Sequence, residues 1–409
     1  MAPLSAGEGV SSRRATACIQ AVRSTSLWLA ELRLRDFRNY ARADLTFDRG
    51  VTALIGANAQ GKSNLLEAVY TAALGRSPRA SADVELVRFE QDRTYVRAEV
   101  HEPRVDVLEV AVDRVSTEKR LKVNGVVVRR GQLLGRMAVV LAGPLDGDVV
   151  RGAPGARRRL MDAALSQASP SYYFALVRYL RVVRQRNRLL AETGAFAALE
   201  PWDEQLVALG ATLVERRRVF VRALAARAAS RHARIAAGAE QLDVTYVCTA
   251  DGFGEGRESR PTIASEAAGS GSSDDDRNAL TRALARRRGE ELRRRTSLVG
   301  PHRDDLSITV NGIDLRTFGS RGQQHTAALS LRLAEAEMLR SELGTWPVLL
   351  LDDVFADLDP VRQALLLREV QGPQVLLTHT TTLPPATDVP IRTFAVLGGT
   401  VEAASDVRA

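Results

Sequence analysis

Eight consecutive residues constrain this chain more than any other stretch. Gly56-Ala57-Asn58-Ala59-Gln60-Gly61-Lys62-Ser63 satisfies every fixed position of the pattern G-x-x-x-x-G-K-[ST]. The apolar run Val51 to Ile55 ahead of it reads as a buried strand, and Asn64 to Leu74 behind it as a helix. The two glycines let the backbone curl until its N–H groups converge on phosphate oxygens, and the helix N-terminus adds positive potential. Lys62 is then placed to reach the β- and γ-phosphates, and the Ser63 hydroxyl to ligate Mg²⁺. The plainer alternative, a glycine-rich turn before a helix, leaves Lys-Ser unexplained. The implied ligands are ATP and Mg²⁺.

A second element follows far along the chain. Val348-Leu-Leu-Leu351 is an apolar strand that ends in Asp352-Asp353. A buried parallel strand delivers such carboxylates at its C-terminal edge, where open α/β sheets bind ligands. Asp352 is expected to hold Mg²⁺, and Asp353 to polarise the water that attacks the γ-phosphate. Between the two elements, Ser320-Arg-Gly322-Gln323 precedes an Ala/Leu-rich helix read as about Gln323 to Leu343. Its hydroxyl and N–H groups suit an anion, and an ordinary helix cap accounts for it equally. The order of these elements resembles ATPases of the ABC type, in which such a turn meets the γ-phosphate held by a second subunit. That resemblance implies an ATP-dependent dimer, a crossing loop at Ala356 to Pro360, and a γ-phosphate contact for His379. A simple loop histidine is the competing reading of His379.

The rest of the chain supplies the frame. Leu27 to about Val128 reads mostly as strands, with two in Tyr95 to Val112 and a hairpin turned at Asn124-Gly125. From Arg157 to Arg295 the pattern turns helical and arginine-rich. Leu176, Leu180, Val183 and Leu190 share one helix face beside Arg181, Arg184 and Arg188, and Leu206, Leu209, Leu213 and Phe220 mark another helix. Gly269 to Asp276 reads as a flexible surface loop. Strands return at Leu306 to Leu315, with a turn at Asn311-Gly312, and at Gln374 to Leu377. The expected fold is therefore α/β: a discontinuous ATPase head (27–156 and 296–409) carrying an inserted helical arm (157–295), after an N-terminal extension (1–26) read as a flexible tail or an early start codon.

Composition narrows the partners. A net charge of +8 favours an anionic partner. With 57 basic residues but only Lys62, Lys119 and Lys122 as lysines, the arginine excess is discounted as a compositional bias. Arg157, Arg158, Arg159, Arg181, Arg184 and Arg188 are candidates for DNA phosphate contacts, though solvated helix faces explain each of them as well. No run of about 18 apolar residues suggests a membrane span. Two cysteines, Cys18 and Cys248, make neither a disulfide framework nor a zinc pattern, which fits the cytoplasm.

Spacing separates the subfamilies. The separation of 352 − 62 = 290 residues between Lys62 and Asp352 exceeds that of a compact ABC transporter head and falls far short of a full SMC coiled coil. Leu34-Arg-Asp-Phe-Arg-Asn-Tyr40, Pro144 to Asp162, and Gly300-Pro-His-Arg-Asp-Asp305 resemble stretches of the RecF family, and so does Leu350 to Asp359. Read without the family, Gly300 to Asp305 is only a turn before a strand. Leu145 and Leu160 depart from the family's usual acid and aromatic residue, Asp357 from its Glu, and Arg321 and His325 from its Gln and Arg. The resemblance implies an ABC/SMC-type head and an ATP-dependent homodimer at gapped or single-stranded DNA. It also implies work with RecO and RecR, promotion of RecA loading, roles in repair, replication and the SOS response, and weak DNA-dependent ATP hydrolysis. The alternatives are a transporter's ATPase subunit and an ATP-gated DNA scaffold with negligible turnover.

Overall fold

The computed structural model describes residues 27–101, 104–192, 196–236, 238, 240–251, 273–355, 360–380 and 390–403. The N-terminal extension, the crossing loop at Ala356 to Asp359 and Gly269 to Ser272 lie outside them. An antiparallel sheet has the order β2-β1-β4-β5-β6-β7. It is formed by β1 (Trp28–Phe37), β2 (Tyr40–Thr46), β4 (Arg93–His101), β5 (Asp106–Asp113), β6 (Lys119–Val123) and β7 (Val126–Val127). The central strands β4 and β5 alternate buried and partly exposed side chains, as a sheet with one covered face requires. The β6–β7 turn places Asn124 and Gly125 at φ 51° and 79°, the pair a type I′ hairpin needs.

A second sheet has the order β15-β14-β3-β13-β12-β8. It draws β3 (Val51–Ile55) and β8 (Val139–Ala142) from one part of the chain. The other part supplies β12 (Val348–Leu351), β13 (Val375–His379), β14 (Ile391–Leu397) and β15 (Thr400–Ala403). All neighbours are parallel except the β14–β15 edge, so β3, β13 and β12 present their C-terminal ends side by side. Helix α1 (Lys62–Leu74) lies between the two sheets, with Leu65, Leu66, Val69 and Ala72 in the same apolar cluster as Leu32, Leu54 and Val96.

The opposite face of the parallel sheet is covered by α9 (Arg321–Leu343) and α10 (Pro360–Glu369) through Leu329, Leu333, Leu339 and Leu366. Small helices α2 (Arg130–Leu133), α3 (Gly147–Val150) and α8 (Leu315–Phe318) fill corners of the head. Helices α4 (Pro154–Ala168), α5 (Pro170–Ala191), α6 (Glu200–Ile235) and α7 (Ser273–Arg294) form the inserted helical part. Helix α6 runs from a cluster with α5 and α7 to one with α9.

Three expectations change. The helical stretch contains a strand, β9 (Leu242–Val247), which pairs antiparallel with β10 (Asp305–Val310), itself joined to β11 (Ile313–Asp314). Leu242 and Val244 alternate with polar residues, and β10 supplies the non-local partner that this pattern needs. Asp274 to Asp276 form the first turn of α7 rather than a loop, which suits acids at a helix N-terminus, and Asp276 is buried. Leu180 is 39% exposed and leaves the face that buries Val183 and Leu190.

Candidate nucleotide site

The glycine loop leaves the end of β3 and enters α1 under tight steric constraint. A Cβ on Gly56 would sit 2.3 Å from the Val396 carbonyl oxygen, and Gly61 adopts φ 115°, where side chains are strained. Ala59 also takes a positive φ of 65°. The loop is held from outside by Asn39, whose amide donates to the Gln60 carbonyl at 3.0 Å and accepts from Asn64 at 2.8 Å. The Gly398 N–H donates to the Gln60 side chain at 2.7 Å. Lys62 is almost fully buried and donates to the Gly56 and Ala57 carbonyls at 2.7 and 2.8 Å. Burial lowers its titration range, opposed by the negative charges of Asp353 and Asp352.

The two acids sit opposite. Ser63 Oγ donates to Asp352 Oδ1 at 2.7 Å, joining motifs 289 residues apart. Thr378, fully buried at the end of β13, donates to the same oxygen at 2.9 Å and accepts the Asp353 N–H at 2.8 Å. Asp353 takes φ 52°, a left-handed conformation costing on the order of 1 kcal/mol that aspartate tolerates better than most residues. One hydroxyl and one carboxylate are hard oxygen donors of the kind Mg²⁺ accepts with phosphate and water completing its shell. No cluster of three or more His, Cys, Asp or Glu suited to a metal exists among the described residues. The Ser63 and Asp352 oxygens fit Mg²⁺ held jointly with a nucleotide.

Beside this corner a cleft of about 870 Å³ opens, with Ser63, Arg79, Arg159 and Asp352 among its walls. Behind it, buried Glu67 receives Arg38 at 2.8 and 3.0 Å and Arg79 at 2.6 Å, and Arg79 also donates to the Ser63 carbonyl at 3.1 Å. Burial pushes the Glu67 carboxyl up, but Arg38, Ser77 and Arg79 outweigh it, so the group ionises more readily than usual. Asn39, Glu67, Arg79 and Thr378 were all missed from sequence. Only Arg38 and Asn39, inside the Leu34 to Tyr40 stretch, carried any signal.

The serine turn forms a reciprocal cap on α9. Ser320 Oγ accepts the Gln323 N–H at 3.2 Å, and the Gln323 side chain accepts the Ser320 N–H at 3.0 Å. Ser320 is exposed, and neither it nor Gly322 lines the cleft that holds Ser63 and Asp352. Gln323 is steadied by Glu240, which accepts its amide at 3.2 Å and pairs with buried His232 at 3.0 Å. His379 is the last residue of β13 rather than a residue of the loop beyond it. Its carbonyl accepts the Gly56 N–H at 3.3 Å, and its ring centroid lies 5.9 Å from that of Phe355.

The arginine candidates divide by location. Arg157 is corrected: it is 2% exposed, clamps Asp305 at 2.6 and 2.8 Å and donates to the Val149 and Gly152 carbonyls, so no phosphate reaches it. Arg158 is half-buried and donates to the Asp304 carbonyl at 2.7 Å. Arg159 is exposed beside the cleft. Arg181, Arg184 and Arg188 are exposed on α5, as their spacing requires.

A parallel sheet ending in a glycine loop and paired acids, with an antiparallel sheet beside it and helices inserted between, defines an ATPase head of the ABC/SMC type. The family model described as RecF/RecN/SMC N terminal domain matches residues 28–383. The chain is 42% identical over 359 residues to "DNA replication and repair protein RecF" of Symbiobacterium thermophilum, covering 87% of this chain and 92% of that one. It is 36% identical over 353 residues to the protein of the same name from Alkaliphilus oremlandii, covering 86% and 92%. A solved structure described as the recombination mediator protein RecF-ATP in the RecFOR pathway superposes with a TM-score of 0.81 at 32% identity, over 94% of this chain and 100% of that one. An Smc head domain from Pyrococcus furiosus, at 16% identity and a TM-score of 0.52, shares the fold. The chain belongs to the RecF family.

Proposed function

We propose that this chain is an ATP-gated, DNA-binding recombination mediator of the cytoplasm, closing as a homodimer on ATP at gapped or single-stranded DNA. The observation that carries the proposal is the 2.7 Å contact between Ser63 and Asp352, which assembles a nucleotide and metal corner from two distant motifs. Relatives named for DNA replication and repair, and the ATP-bound RecF of the RecFOR pathway, support the same reading.

Backbone N–H groups of residues 56–63 cradle the phosphates, and Lys62 exchanges its loop carbonyls for phosphate oxygens. Bound Mg²⁺, held by Ser63 and Asp352, would neutralise charge on the β- and γ-phosphates. Asp353 orients and deprotonates the attacking water, with its backbone held by Thr378. His379, at the adjacent strand end, is assigned to the γ-phosphate. The exposed Ser320-Gly322-Gln323 turn of a second copy closes over that phosphate from across the dimer. Hydrolysis is weak and DNA-dependent, and serves to release the clamp.

Arg181, Arg184 and Arg188 contact DNA phosphates, giving sequence-independent and salt-sensitive affinity. RecR and RecO are the partners and RecA loading the outcome, in repair, replication and the SOS response. No helix among the described residues is long and apolar enough to cross a membrane. Sedimentation with gapped DNA, with and without ATP, tests the clamp. Wild type should dimerise on ATP and Lys62→Ala should not. A wild type that stays monomeric at saturating ATP removes the proposal.

A further inference from the structure

We infer that Arg332 of α9 is a positioning residue: with Asp146 it ties the metal corner of one subunit to the serine turn that the same subunit presents to its partner. The inference deepens the ATP-gated dimer proposed above and rests on it.

The link can be followed atom by atom. The Asp352 N–H donates to the Ala142 carbonyl at 2.7 Å, which locks the metal-corner strand end to β8. The next residue, Gly143, lies so close that a Cβ there would be 2.9 Å from the Asp352 Cβ. The Gly143 N–H donates to Asp146 Oδ2 at 2.8 Å. Asp146 Oδ1 in turn accepts Arg332 Nε and Nη2 at 2.8 and 2.7 Å. Asp146 is 6% exposed and, like Arg332, lines the cleft beside Asp352, so a shift of Asp352 on nucleotide binding meets a short, charged connection.

Helix α9 can carry that shift as a rod. Its N-terminus is closed by the Ser320–Gln323 cap and its C-terminus by Gly344 at φ 72°. Arg332 lies about 18 Å along the helix from Ser320, at about 1.5 Å per residue. A second tether joins the first turn to the loop after the acids, where His325 donates to the Val354 carbonyl at 3.0 Å. The Arg332 tether acts at mid-helix and so sets the tilt of the rod, whereas the first-turn one acts as its pivot. Helix α6 packs along the other side of α9, where Arg231 pairs with Glu337 and His232 meets Ser330 at 3.4 Å. The same rod therefore touches the arm, the metal corner and the serine turn.

The charge arrangement makes a test possible. Arg332 also donates to Glu335 at 2.7 Å, and Glu335 is 1% exposed. One partly buried cation thus serves two buried carboxylates, and burial with the neighbouring Asp146 charge raises the Glu335 carboxyl against the pull of Arg332. Asp146→Asn removes one carboxylate while Arg332 keeps Glu335, so the fold retains a paired charge. Arg332→Lys, which keeps the charge but loses the two-pronged geometry, is the second variant.

Three quantities are read on full-length protein: affinity for a fluorescent ATP analogue, the ATP-dependent dimer constant, and amide exchange of residues 320–324 in the monomer. In both variants nucleotide affinity should stay within about twofold, whereas dimerisation weakens about tenfold, the size of a typical coupling between sites. In wild type ATP should slow exchange at 320–324, and in the variants it should not. Unchanged dimerisation, an intact exchange response, or an equal loss of nucleotide affinity would overturn the inference. If wild type never dimerises yet its turn responds to ATP and the variants' turns do not, the dimer proposal falls and the Arg332 link stands.

Discussion

Replacing Arg157 with methionine separates a structural arginine from a DNA-binding one. The substitution keeps the apolar stem and deletes a guanidinium that donates twice to Asp305 and also to the Val149 and Gly152 carbonyls. Removing one partner of a buried ion pair costs about 3–5 kcal/mol when the other charge stays dry. The Asp305 side chain is 25% exposed, so water recovers part of that loss. A net destabilisation of about 2–3 kcal/mol remains, since the carbonyls also lose their donor. Urea unfolding followed by circular dichroism should show a lower midpoint with an unchanged slope. Affinity of the folded fraction for gapped DNA, read by fluorescence anisotropy, should equal wild type at every salt concentration. A variant with wild-type stability and weakened DNA binding would refute the burial argument outright.

Three further outcomes follow from the same geometry. Replacing Arg181, Arg184 and Arg188 together with serine should leave stability within about 1 kcal/mol and lower the slope of log affinity against log salt by roughly 0.7–0.9 for each phosphate that is no longer neutralised; an unchanged slope would move the DNA interface elsewhere. Asp353→Asn should slow ATP hydrolysis by about 10²–10⁴-fold and prolong the dimer, while unchanged turnover and DNA release would leave a scaffold without hydrolysis. His302 is neutral in the fold because burial pushes its titration down to about 3 from an ordinary 6.5, and Tyr179 and the Ser297 carbonyl hold its ring nitrogens. Below pH of about 6.5 the unfolded chain takes up that proton and the native one does not, so stability falls by about 1.4 kcal/mol per pH unit down to about 3. A folded His302→Asn variant should lose stability less steeply over that window in acid titrations followed by urea midpoint, and equal slopes would exclude the effect.

The elements that came straight from the residues share a cause: each depends on chemistry within a few positions. The glycine loop needs its two glycines and the residues beside them, and the Asn124-Gly125 turn needs two positive φ values in a row. The strand before Asp352 needs four apolar side chains in succession, and the cap on α9 needs a serine three residues before a glutamine. Such patterns are legible because the interactions that select them span one turn or one hairpin.

Position in three dimensions was not legible in that way. Arg157, Arg186 and Arg217 read like any other arginine on a helix, yet all three are buried against Asp305, Glu291 and Asp162 respectively. Thr378 looks like an ordinary strand residue until β13 lies beside β12 and brings its hydroxyl to both aspartates. A charged side chain can go inside only where packing delivers an opposite charge from a distant segment, and no helical period records where that segment will be. The local code thus determined where the glycine loop, the paired acids and the serine cap form, while the packing of distant segments decided which charges are buried and which stay at the surface.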